Sequence, residues 1–356
     1  MLCCIIILRL KQISVIFLKE DTAVNQSFPR LLADIGGTNA RFAIETAPDD
    51  VKALKTCQNR SFSGIEEAME DYLSGPESVD AGSAKIRHAC MAIANPVTGD
   101  RIRMTNSQWT FSIEAVRKKF DLETLLFVND FTALAMALPF IRPDQLRQAG
   151  GGEPLPDMPA GLIGAGTGLG VSGLIPANGD WIPLETEGGH ATFSPFSERE
   201  IELLRLAKKQ FPHVSSERFI SGMGMELIYS LLMESREKEA APLKAAEIIS
   251  RALEGTCTWC DDVVEIFCQM LGTAAGNLAL TLGARGGIYI GGGIVPRLGE
   301  RFFSSGFRSR FEEKGRFSSY QSQIPVFVVL DTYAAITGVS AILSKHLAQG
   351  PFSTHE

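Results

Sequence analysis

At 356 residues the chain is long enough for two domains, and its 45% hydrophobic and 21% charged residues are those of a globular protein. A net charge of −7 offers a phosphate backbone no general attraction, which argues against nucleic acid as a partner. Seven cysteines at irregular spacing do not form a disulfide framework, so a reducing, cytoplasmic setting is expected.

Residues 1–28 hold two short apolar runs, 2–8 and 13–18, separated by Arg9, Lys11 and Gln12. Neither approaches the ~20 apolar residues of a membrane span. No basic stretch precedes the first run and no small-residue cleavage site follows it, so neither stable membrane insertion nor a signal peptide is expected. The segment is set aside as an N-terminal extension outside the fold.

The fold is expected to begin near Pro29. A short strand over 31–33 runs into the turn Asp34-Ile35-Gly36-Gly37-Thr38-Asn39, and strand resumes over 40–44. Further strands are predicted at 88–94 and 124–128, the latter ending at Asn129-Asp130 with a helix over 131–138 directly after it. The Gly/Pro cluster at 149–159 reads as a loop near a domain boundary. A strand-loop-strand at 162–175 then echoes 31–44: an apolar entry, a glycine loop holding a threonine, and an apolar exit over the same length. That echo points to two related halves.

Later elements read mostly as helix. Ser197 and Glu200 form a capping-box signature opening a helix towards Phe211, and apolar residues at helical spacing predict another over 262–282. A buried strand at 287–290 leads into Gly291-Gly292-Gly293. A last strand at 324–330 is followed by Asp331 and a helix to about 347. Strands alternating with helices make this an α/β chain.

No P-loop signature is present, and no G-x-G-x-x-G follows a strand. The two glycine hairpins take that place, since glycines let the backbone approach a ligand and aim N–H groups at phosphate oxygens. Asp34, at the end of the first strand, is placed to hold magnesium or its water shell, and magnesium favours one or two carboxylates plus phosphates. Thr38 and Thr167 are hydroxyl donors in the two loops. Cys257-Thr-Trp-Cys260 has one further cysteine nearby and no histidine, and reads as a pair of structural cysteines at a helix start.

The motifs DIGGTNAR from Asp34, NDFTA from Asn129, GAGTGLG from Gly164, EGGH from Glu187, SSER from Ser215 and GGGIVPR from Gly291 occur in this order. Together, over about residues 31–347, they resemble bacterial glucokinase. One departure is Ser221-Gly-Met-Gly224, where the family pattern has proline in the third place.

The resemblance implies a two-domain α/β chain with the actin-like ATPase (ribonuclease H-like) fold. Residues 31–140 plus 331–350 would make the small domain and 141–330 the large one, with a cleft between them. ATP would lie along Asp34, Gly36, Gly37, Thr38, Asn39, Gly166, Thr167, Gly168, Gly291 and Gly292, with Mg2+ held near Asp34 through water or phosphate. Asp130 matches the family's catalytic base; Asn129, Asp130, Glu187, His190 and Glu217 match its glucose ligands. A homodimer is implied as well. Besides transfer of the ATP γ-phosphoryl group to the 6-hydroxyl of glucose, two readings stay open: a kinase for another hexose on the same scaffold, or a non-catalytic sugar sensor. Aromatic and charged residues at 302–317 would serve either a dimer surface or ordinary packing.

Overall fold

The computed structural model describes residues 27–104, 108–236 and 241–349, so all but the last two residues of the expected extension lie outside the described residues. Five strands form a first sheet: β1 (Arg30–Ile35), β2 (Asn39–Ala47), β3 (Asp50–Gln58), β4 (His88–Ile93) and β7 (Thr124–Asn129). Between the last two lies a two-stranded ribbon of β5 (Arg101–Arg103) and β6 (Thr110–Ser112). The order across the sheet is β3-β2-β1-β4-β7, antiparallel through the first three strands and parallel from β1 to β7.

The second sheet contains β8 (Leu146–Gln148), β9 (Ala160–Ala165), β10 (Leu169–Ala177), β11 (Asp180–Pro183), β12 (Ile288–Gly291) and β13 (Val326–Val329). Its order is β11-β10-β9-β12-β13-β8. Apart from the antiparallel edge strand β8, it repeats the first sheet: a three-stranded antiparallel meander whose first strand continues into two parallel neighbours. The echo between 31–44 and 162–175 is thus a repeat of topology. The turns differ by one residue: Ile35 pairs with Ala40 across four residues, and Ala165 with Leu169 across three. The Gly/Pro-rich stretch at 149–159 falls between β8 and β9, two strands of one sheet.

Sequence explains the central strands. β1 (RLLADI) and β9 (AGLIGA) are buried along their whole length, as strands covered on both faces must be. β3 (DVKALKTCQ), an edge strand, has no fully buried residue, and its polar pattern hides it from a search for apolar runs.

Two helices join the halves. Asp130–Ala137 follows β7 directly and crosses the last helix, Ala334–Gln349. The crossing is backbone against side-chain-free backbone: a Cβ at Gly338 would lie 1.8 Å from the Ala133 carbonyl oxygen. Phe131 and Leu134 reach across to Gly170 and Gly291 of the second sheet. The last helix is also fastened to the first sheet by polar contacts. Arg30 and Glu45 form a buried ion pair at 3.5 Å; Arg30 donates to Ser344 Oγ, and Ser340 Oγ donates to Glu45, each at 2.7 Å. Burial offsets much of the Coulombic gain of such a pair.

The second half carries the larger core. Its axis is the 25-residue helix Thr258–Leu282, which starts four residues before the expected 262 and ends at Gly283 in the left-handed conformation (φ 60°). Among the described residues it alone is long and apolar enough to cross a membrane, and 67% of its apolar window is buried within the protein. Glu198–Ala207, Gly222–Ser235 and Ala245–Leu253 contribute to the core around it. Phe302, Phe307 and Phe311 lie within this core, so most of the 302–317 aromatics serve ordinary packing; Phe317 is exposed.

Candidate active site

Asn129 and Asp130 sit where β7 ends and a helix begins. Asn129 is the helix cap: its Oδ1 accepts the N–H groups of Phe131 at 2.9 Å and Thr132 at 3.3 Å. Capping commits the amide oxygen and thereby the orientation of the side chain, leaving the NH2 as a donor for a ligand. With capping done by Asn129, Asp130 takes the first helical position, and its Oδ1 accepts the Phe131 N–H at 2.9 Å. Among the described residues no cation pairs with it. Its pKa is pushed up to about 7, first by burial, then by the negative charge of Asp34, with Glu187 adding to the rise. A carboxylate so tuned is a much better proton acceptor near neutral pH than an ordinary aspartate.

Asp34 is the penultimate residue of β1, with Arg41 directly opposite on β2. Arg41 Nη1 donates to Asp34 Oδ2 at 2.7 Å. Burial still raises the Asp34 pKa, and Arg41 opposes that rise. The first hairpin beyond it has a clamp that the motifs did not reveal. Asn59, almost wholly buried just after β3, donates from Nδ2 to the Gly36 carbonyl at 2.7 Å, and its backbone N–H donates to the Thr38 carbonyl at 2.9 Å. With the carbonyls turned back to Asn59, and Gly36 N–H closing the turn onto Asn39 at 2.9 Å, the loop is a shaped backbone element.

The second hairpin is built against the other two glycine-rich segments. A Cβ at Gly164 would lie 2.4 Å from Gly291, and one at Gly292 (φ 79°) would lie 2.4 Å from the Ala165 oxygen. Gly166 N–H donates to Gly168 O, and Gly222 N–H to Gly166 O, both at 2.9 Å. Gly168 borders Glu217: a Cβ there would meet Glu217 Oε2 at 2.4 Å, and that oxygen accepts the Leu169 N–H at 2.9 Å.

Glu187, His190 and Glu217 come together although two loops carry them. The turn Gly188–His190 lies flat on β10, where a Cβ at Gly189 would sit 2.0 Å from the Leu169 oxygen. The 215–217 loop pairs with it through Glu217 N–H to Gly189 O at 2.9 Å and Ser216 N–H to Ala191 O at 2.8 Å. The His190 ring stands between the two carboxylates, 3.7 Å from Glu187 and 3.8 Å from Glu217. Asp34 and Glu187 both act electrostatically on Asp130, and His190 bridges Glu187 and Glu217, so the five side chains belong to one polar site. Of the expected residues not yet placed, Gly37 lies in the first turn and Thr167 in the second. Arg41 ends the DIGGTNAR motif with no role read for it, whereas Asn59 and Thr186, whose hydroxyl donates to the Val171 carbonyl at 2.6 Å beside the Glu187 turn, belong to no motif.

A duplicated mixed sheet, two glycine hairpins and a group of carboxylates with one imidazole define a sugar kinase of the actin-like ATPase fold. The chain belongs to the glucokinase family, whose model, described as Glucokinase, matches residues 31–346. It is 51% identical to a glucokinase of Chromobacterium violaceum over 92% of this chain and 93% of that one. It is 47% identical to a glucokinase of Neisseria meningitidis serogroup C, over 90% and 96%. A bifunctional protein glk of Paraburkholderia xenovorans is 52% identical over 90% of this chain, which spans 49% of that longer protein. Among solved structures, a glucokinase from an Antarctic psychrotroph superposes with a TM-score of 0.78 at 34% identity, over 89% of this chain and 99% of that one.

Proposed function

We propose that this protein transfers the γ-phosphoryl group of ATP to the 6-hydroxyl of glucose, with Asp130 as general base. The observation that carries the reading is Asp130 itself: a carboxylate with no cationic partner among the described residues, its pKa near 7, next to a capping asparagine and a carboxylate–imidazole group. Asn129, Glu187, His190 and Glu217 supply the donors and acceptors that a ring of hydroxyls needs. A site of this kind discriminates strongly against sugars lacking one hydroxyl, because its polar groups are then left unpaired. The ATP-analogue complex of a Streptomyces griseus glucokinase and the glucose complex of a Balamuthia mandrillaris glucokinase fit the same assignment by analogy of fold.

In the reaction Asp130 takes the proton of the 6-hydroxyl as its oxygen attacks the γ-phosphorus in line, a contribution of ~10²–10⁴ in rate. The turns at Gly36, Gly37, Thr38 and Asn39 and at Gly166, Thr167 and Gly168, with Gly291 and Gly292, present backbone to the phosphates. Asp34 is the carboxylate available to magnesium or its water shell, a donor that fits an ion bound mainly through phosphates. Bound magnesium supplies neutralisation of phosphate charge. The described cysteines are all free thiols, which supports a cytoplasmic setting. The domains we assign are 31–140 with 331–350, and 141–330. A homodimer, implied by the family resemblance, is tested by light scattering during gel filtration.

The deciding experiment follows ADP release with ATP, magnesium and a panel of glucose, mannose, fructose, N-acetylglucosamine and 2-deoxyglucose. Turnover with glucose that collapses in Asp130→Asn is the expected result. Activity confined to another sugar overturns the substrate, and full activity in the variant overturns the base.

A further inference from the structure

The sequence pattern Cys257-Thr-Trp-Cys260 looked structural, and the fold gives it a more specific geometry. Cys257 is the cap of the long core helix: its backbone is extended (φ −146°, ψ 109°), and its Sγ accepts the Cys260 N–H at 3.4 Å. Ser197 and Ser221 cap their helices with the same reach, accepting from Glu200 at 3.3 Å and Gly224 at 3.0 Å. Sulfur is the weaker acceptor, so a cysteine contributes little as a cap. What the position offers sulfur is a stabilised thiolate, facing the N–H groups and positive end of a helix.

The second thiol is in reach of the first. Cap and third helical residue lie about one turn apart, ~5 Å between Cα atoms, within the ~4.4–6.8 Å that a disulfide spans. The Cys260 N–H that Cys257 Sγ accepts brings the first sulfur to the residue that carries the second. Cys257 is half-buried, whereas Cys260 is fully buried in the core. The surroundings separate their chemistry. Burial disfavours both thiolates, but N–H groups of Cys260 and Trp259, with Arg251 nearby, bring Cys257 below its ordinary pKa. Cys260 is pushed up to about 12 by burial and by its partner. Among the described residues no group of three metal-ligating side chains exists, so this dithiol has no set of ligands for an ion.

We propose that Cys257 and Cys260 form a reversible thiol–disulfide pair, in which half-buried Cys257 attacks and buried Cys260 resolves. The oxidant is a small-molecule disulfide such as oxidised glutathione. The Cys257 thiolate attacks one of its sulfurs, forming a mixed disulfide and releasing one small thiolate. Cys260 then gives up its proton to solvent and attacks Cys257 Sγ, expelling the second small thiol. Two protein thiols are oxidised and one small disulfide is reduced to two thiols. The site is separate from the sugar and phosphate residues, on the opening turn of Thr258–Leu282.

The test uses the full chain. It is equilibrated with oxidised glutathione, quenched in acid, unfolded, labelled with N-ethylmaleimide and mapped by peptide mass. The expected wild-type peptide carries neither label nor glutathione on Cys257 and Cys260, has lost two hydrogens, and regains both labels after dithiothreitol. Cys260→Ser should stop at a glutathione adduct on Cys257, whereas Cys257→Ser should leave Cys260 free. Without oxidant, Cys257 of the folded protein should take label about tenfold faster than half-buried Cys57, following its greater thiolate fraction. A wild-type peptide that keeps both labels at every glutathione ratio, or one that accumulates the Cys257 adduct without closing the ring, overturns the proposal.

Discussion

Replacing Asp130 by asparagine should cost activity and add stability, and the size of the gain follows from the environment of the carboxyl. The Asp130 pKa rises from 3.8 to about 7 in the fold. A raised carboxyl pKa means that the folded state holds its proton longer than the unfolded chain does. Its favourable contribution is therefore fully present below pH ~4 and is lost progressively as pH rises to about 7. Roughly 3 pH units at ~1.36 kcal/mol each set an upper bound of about 4 kcal/mol for that loss. Asparagine has no proton to lose, keeps an oxygen for the Phe131 N–H, and leaves the Asn129 cap in place. Urea unfolding of both proteins from pH 4 to 8 should show equal stability at the acid end. The variant's advantage should grow to ~2 kcal/mol near pH 5.5 and level off above pH 7. Over the same range its turnover should be ~10²–10⁴-fold lower. A stability difference that does not depend on pH would refute the tuned carboxyl, whatever happened to turnover.

Three further variants probe the supports of the site. Asn59→Ala removes the 2.7 Å clamp on the Gly36 carbonyl; an unmet buried acceptor costs about 1–3 kcal/mol, and the KM for ATP should rise by up to ~100-fold with the KM for glucose little changed. Gly168→Ala places a methyl 2.4 Å from Glu217 Oε2 and displaces a charge-assisted bond; calorimetry should show glucose affinity falling by ~10-fold or more, with ATP affinity less affected. Gly338→Ala drives a methyl into the Ala133 carbonyl; overpacking of ~1–3 kcal/mol should lower the melting temperature by several degrees in a thermal scan.

The parts of the site legible in sequence are those whose chemistry is local. Asp34 and the glycines after it, or Asn129-Asp130 between an apolar run and a helix, carry their role within a few residues. Asn59 does not: it acts on a carbonyl 23 positions earlier, after an edge strand with no fully buried residue to mark it. The helix Gly222–Ser235 begins with Gly-Met-Gly, a breaker signal that the Ser221 cap and tight packing override. Gly168 falls among the phosphate glycines by resemblance, and only tertiary packing shows Glu217 against it. The Gly338 crossing was equally hidden, since neither helix names its partner.

The repeated sheets make a substitution visible that neither half shows alone. One step back from the closing pair of each hairpin, the first half sets Asp34 opposite Arg41 and the second sets Gly164 opposite Gly170. The same place in a duplicated scaffold has been given to charge in one copy and to emptiness in the other. The empty pair is where the helix that opens at Asp130 comes in, with Phe131 lying over Gly170 and Gly291 over Gly164. The halves are therefore no longer exchangeable: a first-half hairpin grafted into the second would put an arginine where the Phe131 ring has to lie.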